Sequence, residues 1–126
     1  MIVGYGIDIM STARIKRAIV RYGDHFVQKV YTDREQQLIA TRKNTYEVYA
    51  AYWAVKEATM KALGTGNRMG VYFKDIEVLH EKSGKPYIKL YNWSKRHMEQ
   101  LGVTNIVVSM SHLKDIVVGT VIFEKI

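Results

Sequence analysis

Apolar and polar positions along the chain change period several times, and each change marks an element. Residues 2–9 (IVGYGIDI) form a β-branched run that predicts a strand, with Gly4 and Gly6 permitting a bulge or close backbone packing. Asp8 falls where that strand gives out. Over residues 11–22 the period turns helical: Ile15, Ala18, Ile19 and Tyr22 make the apolar stripe, Ser11 or Thr12 caps it, and Gly23 ends it. Within residues 24–44, Thr32 followed by Glu35 is a capping box that opens a second helical segment. Residues 50–66 (AAYWAVKEATMKALGTG) predict the central helix, built of strong helix formers and stopped by Gly64-Thr65-Gly66. Residues 73–80 and 87–91 flank a Ser83-Gly84-Lys85-Pro86 turn and predict a hairpin. Residues 92–101 read as a helix closed by Gly102, and residues 105–111 and 115–123 as two further strands.

Helices and hairpins are interleaved without regular strand–helix alternation. The expected class is therefore α+β, a central helix packed on an antiparallel sheet, with residues 1–126 as one domain. At 126 residues the chain can bury a core of its own, and with no cysteine it has neither disulfides nor thiolate metal sites. No apolar run approaches the ~20 residues of a membrane span, and residues 1–4 lack the regions of a signal peptide, so a cytoplasmic protein is expected.

Charge sharpens the picture. Nineteen Lys and Arg against twelve Asp and Glu give a formal charge of +7, which attracts anionic partners such as nucleic acid, phosphorylated cofactors or acidic proteins. Arg14, Arg17 and Arg21 fall on one helical ridge, with no acid between Asp8 and Asp24 to neutralise it. Such a ridge suits an acidic helix or a phosphate backbone.

Glu57 and Lys61 are four residues apart, one above the other on the central helix, with the small residues Ala54 and Ala50 continuing that face and leaving room for an approach. By spacing alone they equally fit an ordinary surface ion pair, and Asp8 a turn or capping residue. Together, Asp8 and Glu57 supply two hard oxygen donors suited to Mg²⁺ beside a polyphosphate. Lys61 stands ready to neutralise phosphate charge or assist a proton transfer. Gly64 and Gly66 offer backbone amides to an anion, although they close a helix and do not open one. There is no G-x-x-x-x-G-K-[ST] and no G-x-S-x-G, which argues against a nucleoside-triphosphatase and a serine hydrolase. Ser109-Met110-Ser111-His112 ends a strand, where His112 reads either as a phosphate or proton-transfer group or as a loop-capping histidine. His25, His80 and His97 carry no role, and Tyr46, Tyr49, Tyr52 and Trp53 read as core or subunit-interface packing.

In combination, GIDI at 6–9, WAVKEATMKALGTG at 53–66, SGKP at 83–86 and SMSH at 109–112 resemble the bacterial holo-acyl-carrier-protein synthases, the small 4′-phosphopantetheinyl transferases, in order and over essentially the whole chain. The resemblance implies Mg²⁺-dependent transfer of the 4′-phosphopantetheine arm of coenzyme A to a serine of acyl carrier protein, leaving adenosine 3′,5′-bisphosphate. It implies Asp8 and Glu57 as metal ligands. Lys61 would sit on the phosphates and help Glu57 deprotonate the serine. Lys43, His112 and Ser111 would face the 3′-phosphate region, and Gly84, Lys85 and Pro86 the adenosine. Arg14, Arg17 and Arg21 would dock the acidic carrier protein. It further implies a homotrimer with coenzyme bound between subunits, and no nucleic-acid or membrane partner. Two positions depart from the pattern: Tyr52 and Trp53 stand where relatives often have arginine and an aromatic, and Leu113 where threonine is common. Both bear on coenzyme affinity. The rival readings are a basic nucleic-acid-binding module and an inactive homologue kept as an assembly subunit.

Overall fold

The computed structural model describes residues 1–66 and 70–126. Strand β1 (Ile2–Ser11) leads into helix α1 (Thr12–Tyr22), followed by α2 (Asp24–Val30), α3 (Asp33–Ala40) and the long α4 (Thr45–Leu63). Then come β2 (Ile76–His80), β3 (Pro86–Leu90), α5 (Asn92–Gln100), β4 (Asn105–His112) and β5 (Ile116–Glu124). An antiparallel sheet of order β1-β5-β4 carries α4 on one face, and β2 and β3 pair separately as a hairpin. The class is α+β, as the interleaved pattern predicts.

Two glycines set how closely helix and sheet approach. A Cβ on Gly6 would lie 1.7 Å from the Ala58 carbonyl oxygen, and one on Gly4 would lie 2.4 Å from that of Ala62. Each strand step of two residues advances ~6.6 Å, while each helix step of four advances ~6 Å, so the two ladders stay nearly in register. Gly4 and Gly6 therefore meet Ala62 and Ala58, and Met10 packs with Ala54 and Ala50. The small face expected to leave room beside Glu57 is occupied by the sheet: Ala50 and Ala54 are fully buried, and what approaches them is protein. The expected bulge is also present, as a register shift between Ile2 and Gly4.

Local signals place most boundaries. Ser11 caps α1 by accepting from the Arg14 amide, and Ile15 seals that helix against Met10, Ala50, Ala54 and Val117. Thr32 and Glu35 form the full capping box of α3. Four expectations need correction. Strand β1 continues to Ser11, so Asp8 pairs with Gly119 inside the strand and does not lie where it gives out. The segment before Thr32 is itself a helix, α2, and the chain turns between the two helices at Tyr31. The central helix begins at Thr45, five residues earlier than residue 50, and ends at Leu63 with Gly64 in the left-handed region. Residues 73–75 form a 3-10 turn, so the strand starts only at Ile76.

Lys56, next to Glu57 in sequence, is directed into the core. Its ammonium lies 2.8 Å from Glu35 and donates also to the carbonyls of Phe73 and Ile76. Glu35 in turn accepts from the amides of Thr32 and Val78. Every donor of the buried cation is used, which ties α3, α4 and β2 together and fixes the rotation of α4.

Candidate active site

Strand alternation sets Asp8 on the helix-facing side of β1, in line with Gly4, Gly6 and Met10. The Lys61 ammonium lies 3.2 Å from the Asp8 carboxylate and donates to the Ile7 carbonyl at 2.8 Å. Glu57, one turn earlier on α4, is half-buried beside them. Burial raises its carboxyl above the ordinary value and the Asp8 carboxylate raises it further, while Lys61 works in the opposite direction. Among the described residues two carboxylates thus face a single ammonium, leaving a surplus negative charge at the edge of β1.

A cavity of about 220 Å³ opens on the other side of α4, its wall including Arg42, Glu47, Tyr52, His80, Ser111 and His112. His112 places Nδ1 2.7 Å from the Glu47 carboxylate, an ion pair when the imidazole is protonated. The Tyr52 hydroxyl lies 2.8 Å from His80 Nε2, and His80 Nδ1 lies 3.2 Å from the Gly84 carbonyl. Burial is the main reason that the Tyr52 phenol is pushed up to about 12; Glu35 adds to the shift and Arg42 opposes it. Strand alternation turns Ser111 to the face of the sheet opposite His112.

The candidate residues therefore form two groups. Asp8, Glu57 and Lys61 converge, and His112, Ser111 and Arg42 share the cavity wall. Tyr52 and Glu57 are five residues apart on one helix, so they point ~140° apart around it, and α4 stands between the groups. Lys43 is exposed between Arg42 and Asn44, both of which line the cavity. Gly84, Lys85 and Pro86 lie at the β2–β3 turn, where Gly84 takes φ 92°. Arg14, Arg17 and Arg21 lie on the exposed side of α1, with Arg17 and Arg21 lining a shallow surface groove beside Val20 and Tyr22.

The amide cradle expected at Gly64 and Gly66 needs correction. The amides of Gly64, Thr65 and Gly66 donate to the carbonyls of Lys61 and Met60, so they are consumed in ending α4. Two cavity residues escaped the sequence reading. Glu47 lies ahead of the helix expected from residue 50 and carries no signal of its own, and His80 gives no local sign of its tyrosine partner, because the contact spans 28 positions. Tyr52 is core, as expected of the aromatic cluster, but its hydroxyl reaches the cavity wall.

A family model described as the 4'-phosphopantetheinyl transferase superfamily matches residues 4–120. A holo-[acyl-carrier-protein] synthase of Solibacter usitatus is 44% identical over 124 residues, spanning 98% of this chain and 99% of that relative. The crystal structure of holo-[acyl-carrier-protein] synthase from Neisseria meningitidis superposes with a TM-score of 0.92 at 34% identity, covering 99% of this chain and 100% of the other. A Bacillus anthracis holo-(acyl-carrier-protein) synthase in complex with CoA (3',5'-ADP) superposes with a TM-score of 0.82 at 33% identity, covering 100% and 99%.

Proposed function

Because the chain belongs to the 4′-phosphopantetheinyl transferase superfamily, we propose that it transfers the 4′-phosphopantetheine arm of coenzyme A to a serine of apo acyl carrier protein. The observation that carries this is the convergence of Asp8, Glu57 and Lys61 at the edge of β1. The serine oxygen attacks the phosphorus that bears the pantetheine arm, an O–P bond forms, and the pyrophosphate bridge breaks to release adenosine 3′,5′-bisphosphate. The serine proton passes to the Glu57 carboxylate, directly or through water. Lys61 neutralises charge on the same phosphates.

The donor set fits Mg²⁺. Asp8 and Glu57 are hard oxygen donors with the Lys61 ammonium beside Asp8, and Mg²⁺ is commonly held by one or two carboxylates plus phosphate oxygens. When bound there, the ion would supply charge neutralisation to the pyrophosphate. The Arg14, Arg17 and Arg21 ridge supports docking of an acidic carrier protein, with the +7 charge steering the encounter.

Placement of the two groups on opposite flanks of α4 supports a site shared between subunits. In that arrangement the Asp8 group of one copy meets the cavity of another. The outer face of the sheet supports a homotrimer, because Tyr5, Ile7, Ile9, Val107 and Ile116 are all exposed there. Among the described residues no helix is long and apolar enough to cross a membrane, and we infer a cytoplasmic protein from the substrates of the proposed reaction. Nothing specific favours the nucleic-acid reading, since the carboxylates of Asp8 and Glu57 repel a phosphate backbone unless metal is bound. The retained triad of Asp8, Glu57 and Lys61 argues against an inactive homologue.

The test is intact-mass spectrometry of apo acyl carrier protein after incubation with the enzyme, coenzyme A and Mg²⁺. The proposal expects a gain of one phosphopantetheine arm on the carrier serine. An unchanged mass with a carrier protein that a known relative modifies would overturn it.

A further inference from the structure

His80 shows no role in the sequence, and Tyr52 reads there as packing at a position where relatives often have arginine; in the structure the two side chains meet. The Tyr52 hydroxyl and the Gly84 carbonyl engage the two ring nitrogens of His80, at 2.8 Å and 3.2 Å. A carbonyl can only accept, so Nδ1 carries the proton. In the neutral ring Nε2 must then accept, and Tyr52 is the donor. A phenol pushed up to about 12 keeps its proton at any working pH. The polarity of the chain is thus fixed from Tyr52 through His80 to Gly84.

What this chain holds in place is the β2–β3 turn. Gly84 adopts φ 92°, a backbone region that favours glycine, and its amide donates to Glu81 at 2.9 Å. The Lys85 carbonyl accepts from the Glu81 amide at 2.9 Å. Those bonds stay within the turn, whereas His80 Nδ1 connects it through Tyr52 to α4. Tyr52 is 2% exposed and anchored in the core, while both Tyr52 and His80 line the cavity. The turn is therefore indexed to the wall of the cavity by a rigid helix.

We propose that Tyr52 and His80 are positioning residues that lock the β2–β3 turn against the cavity and so set the affinity for the adenosine end of coenzyme A. This rests on the reading of the cavity as the coenzyme site. Neither residue takes part in the chemistry, which belongs to Asp8, Glu57 and Lys61. The pair acts through the turn.

Steady-state kinetics of Tyr52→Phe, His80→Asn and His80→Ala test this, alongside calorimetric titration with adenosine 3′,5′-bisphosphate. An asparagine amide can replace Nδ1–H toward Gly84, so His80→Asn retains half of the chain. Tyr52→Phe and His80→Ala should raise the KM for coenzyme A about tenfold and weaken the bisphosphate by a similar factor. The KM for carrier protein should stay within twofold, kcat likewise, and His80→Asn should recover much of the loss. Nitrogen-detected NMR of labelled histidine should show His80 as the Nδ1–H tautomer in the wild type and a mixture of tautomers in Tyr52→Phe. Unchanged coenzyme affinity in Tyr52→Phe and His80→Ala overturns the proposal, as does equal weakening toward both substrates. A wild-type protein that fails to bind the bisphosphate overturns the functional reading itself, an outcome separate from any difference among the variants.

Discussion

Lys61 and Asp8 meet across two elements that only the close packing of α4 on β1 brings together, ammonium to carboxylate at 3.2 Å. The lysine is anchored a second time, by the Ile7 carbonyl at 2.8 Å, so its position follows the strand as well as the helix. Glu57, one turn back, has no such anchor among the described residues, and its raised carboxyl reflects burial beside Asp8. Among those residues charge of one sign exceeds the other here, an arrangement that costs folding energy and favours a bound cation.

Asp8→Asn and Glu57→Gln should each reduce transfer at least a hundredfold, since each removes one of the two hard ligands proposed for Mg²⁺. Both variants should fold. Glu57→Gln should melt roughly 1–4 °C higher than the wild type in metal-free buffer, because it removes the charge that burial and Asp8 disfavour. The sign follows from linkage. A carboxyl raised on folding destabilises the fold once pH exceeds its unfolded value, and the amide escapes that loss. Mass spectrometry of the carrier protein and calorimetry without metal check the two parts. Retained turnover in both variants would remove the metal assignment.

Gly6→Ala tests the contact that creates the site. The new methyl would lie 1.7 Å from the Ala58 carbonyl oxygen, and backbone cannot swing aside as a side chain can. A loss of about 3 kcal/mol in denaturant unfolding is expected, with transfer weakened further because Asp8 lies two residues on.

How much of this was readable beforehand depends on the range of each interaction. Thr32 with Glu35, Ser11 with Arg14 and the Gly64 cap are short-range rules, and all three hold. Close backbone packing at Gly4 and Gly6 was legible as a possibility, although its partner, the Ala58 and Ala62 carbonyls, was not. A helical wheel of α4 shows Glu57 and Lys61 on one side, yet it does not tell that Ala50 and Ala54 lie beneath a sheet. Lys56 looked like any helix lysine, since its partner Glu35 is far away in sequence and doubles as a capping residue. The Gly64 and Gly66 amides were misjudged because a helix end needs them more than an anion does.

Lys56→Met should destabilise by about 3–5 kcal/mol, by leaving the Glu35 carboxylate buried without its cation. Adding Glu35→Gln should restore part of it, because the amide removes the unpaired buried charge while its oxygen still accepts from one of the Thr32 and Val78 amides. Thermal or urea unfolding of both singles and the double closes the cycle. A double variant no better than the sum of its singles would mean that the network holds α4 by the carbonyls of Phe73 and Ile76 alone.

Glu77 gives the fold a dependence on pH. Burial pushes its carboxyl up, but bonds from Arg34, Thr32 and Tyr91 outweigh that and hold it below its ordinary value of 4.5. A carboxyl depressed on folding contributes stability above its unfolded value, and that contribution disappears as pH falls through the folded one. Glu77→Gln should cost about 1–3 kcal/mol at neutral pH. The gap from wild type should narrow below roughly pH 4, where the wild-type carboxyl also takes up a proton. Melting curves across that range measure it, and a constant gap would show that charge is not the source.

The proposed sharing of the site between subunits makes the strictest demand. With Asp8, Glu57 and Lys61 on one flank of α4 and His112 on the other, a metal-side variant such as Asp8→Asn and a cavity-side variant such as His112→Ala damage different halves of each interface. Coexpressed, the two chains mix at random, and an interface is intact when the undamaged halves happen to meet. Equal mixing gives that combination at roughly a quarter of closed, symmetric interfaces. Transfer in the mixture should therefore recover to about that share of wild type, although each variant alone is nearly inactive. Ile7→Lys, which charges the exposed outer face of the sheet, should abolish the recovery and lower the mass seen in sedimentation. If no activity returns on mixing while the variants still assemble, each chain must complete its own site, and the coenzyme would have to cross α4 within one subunit.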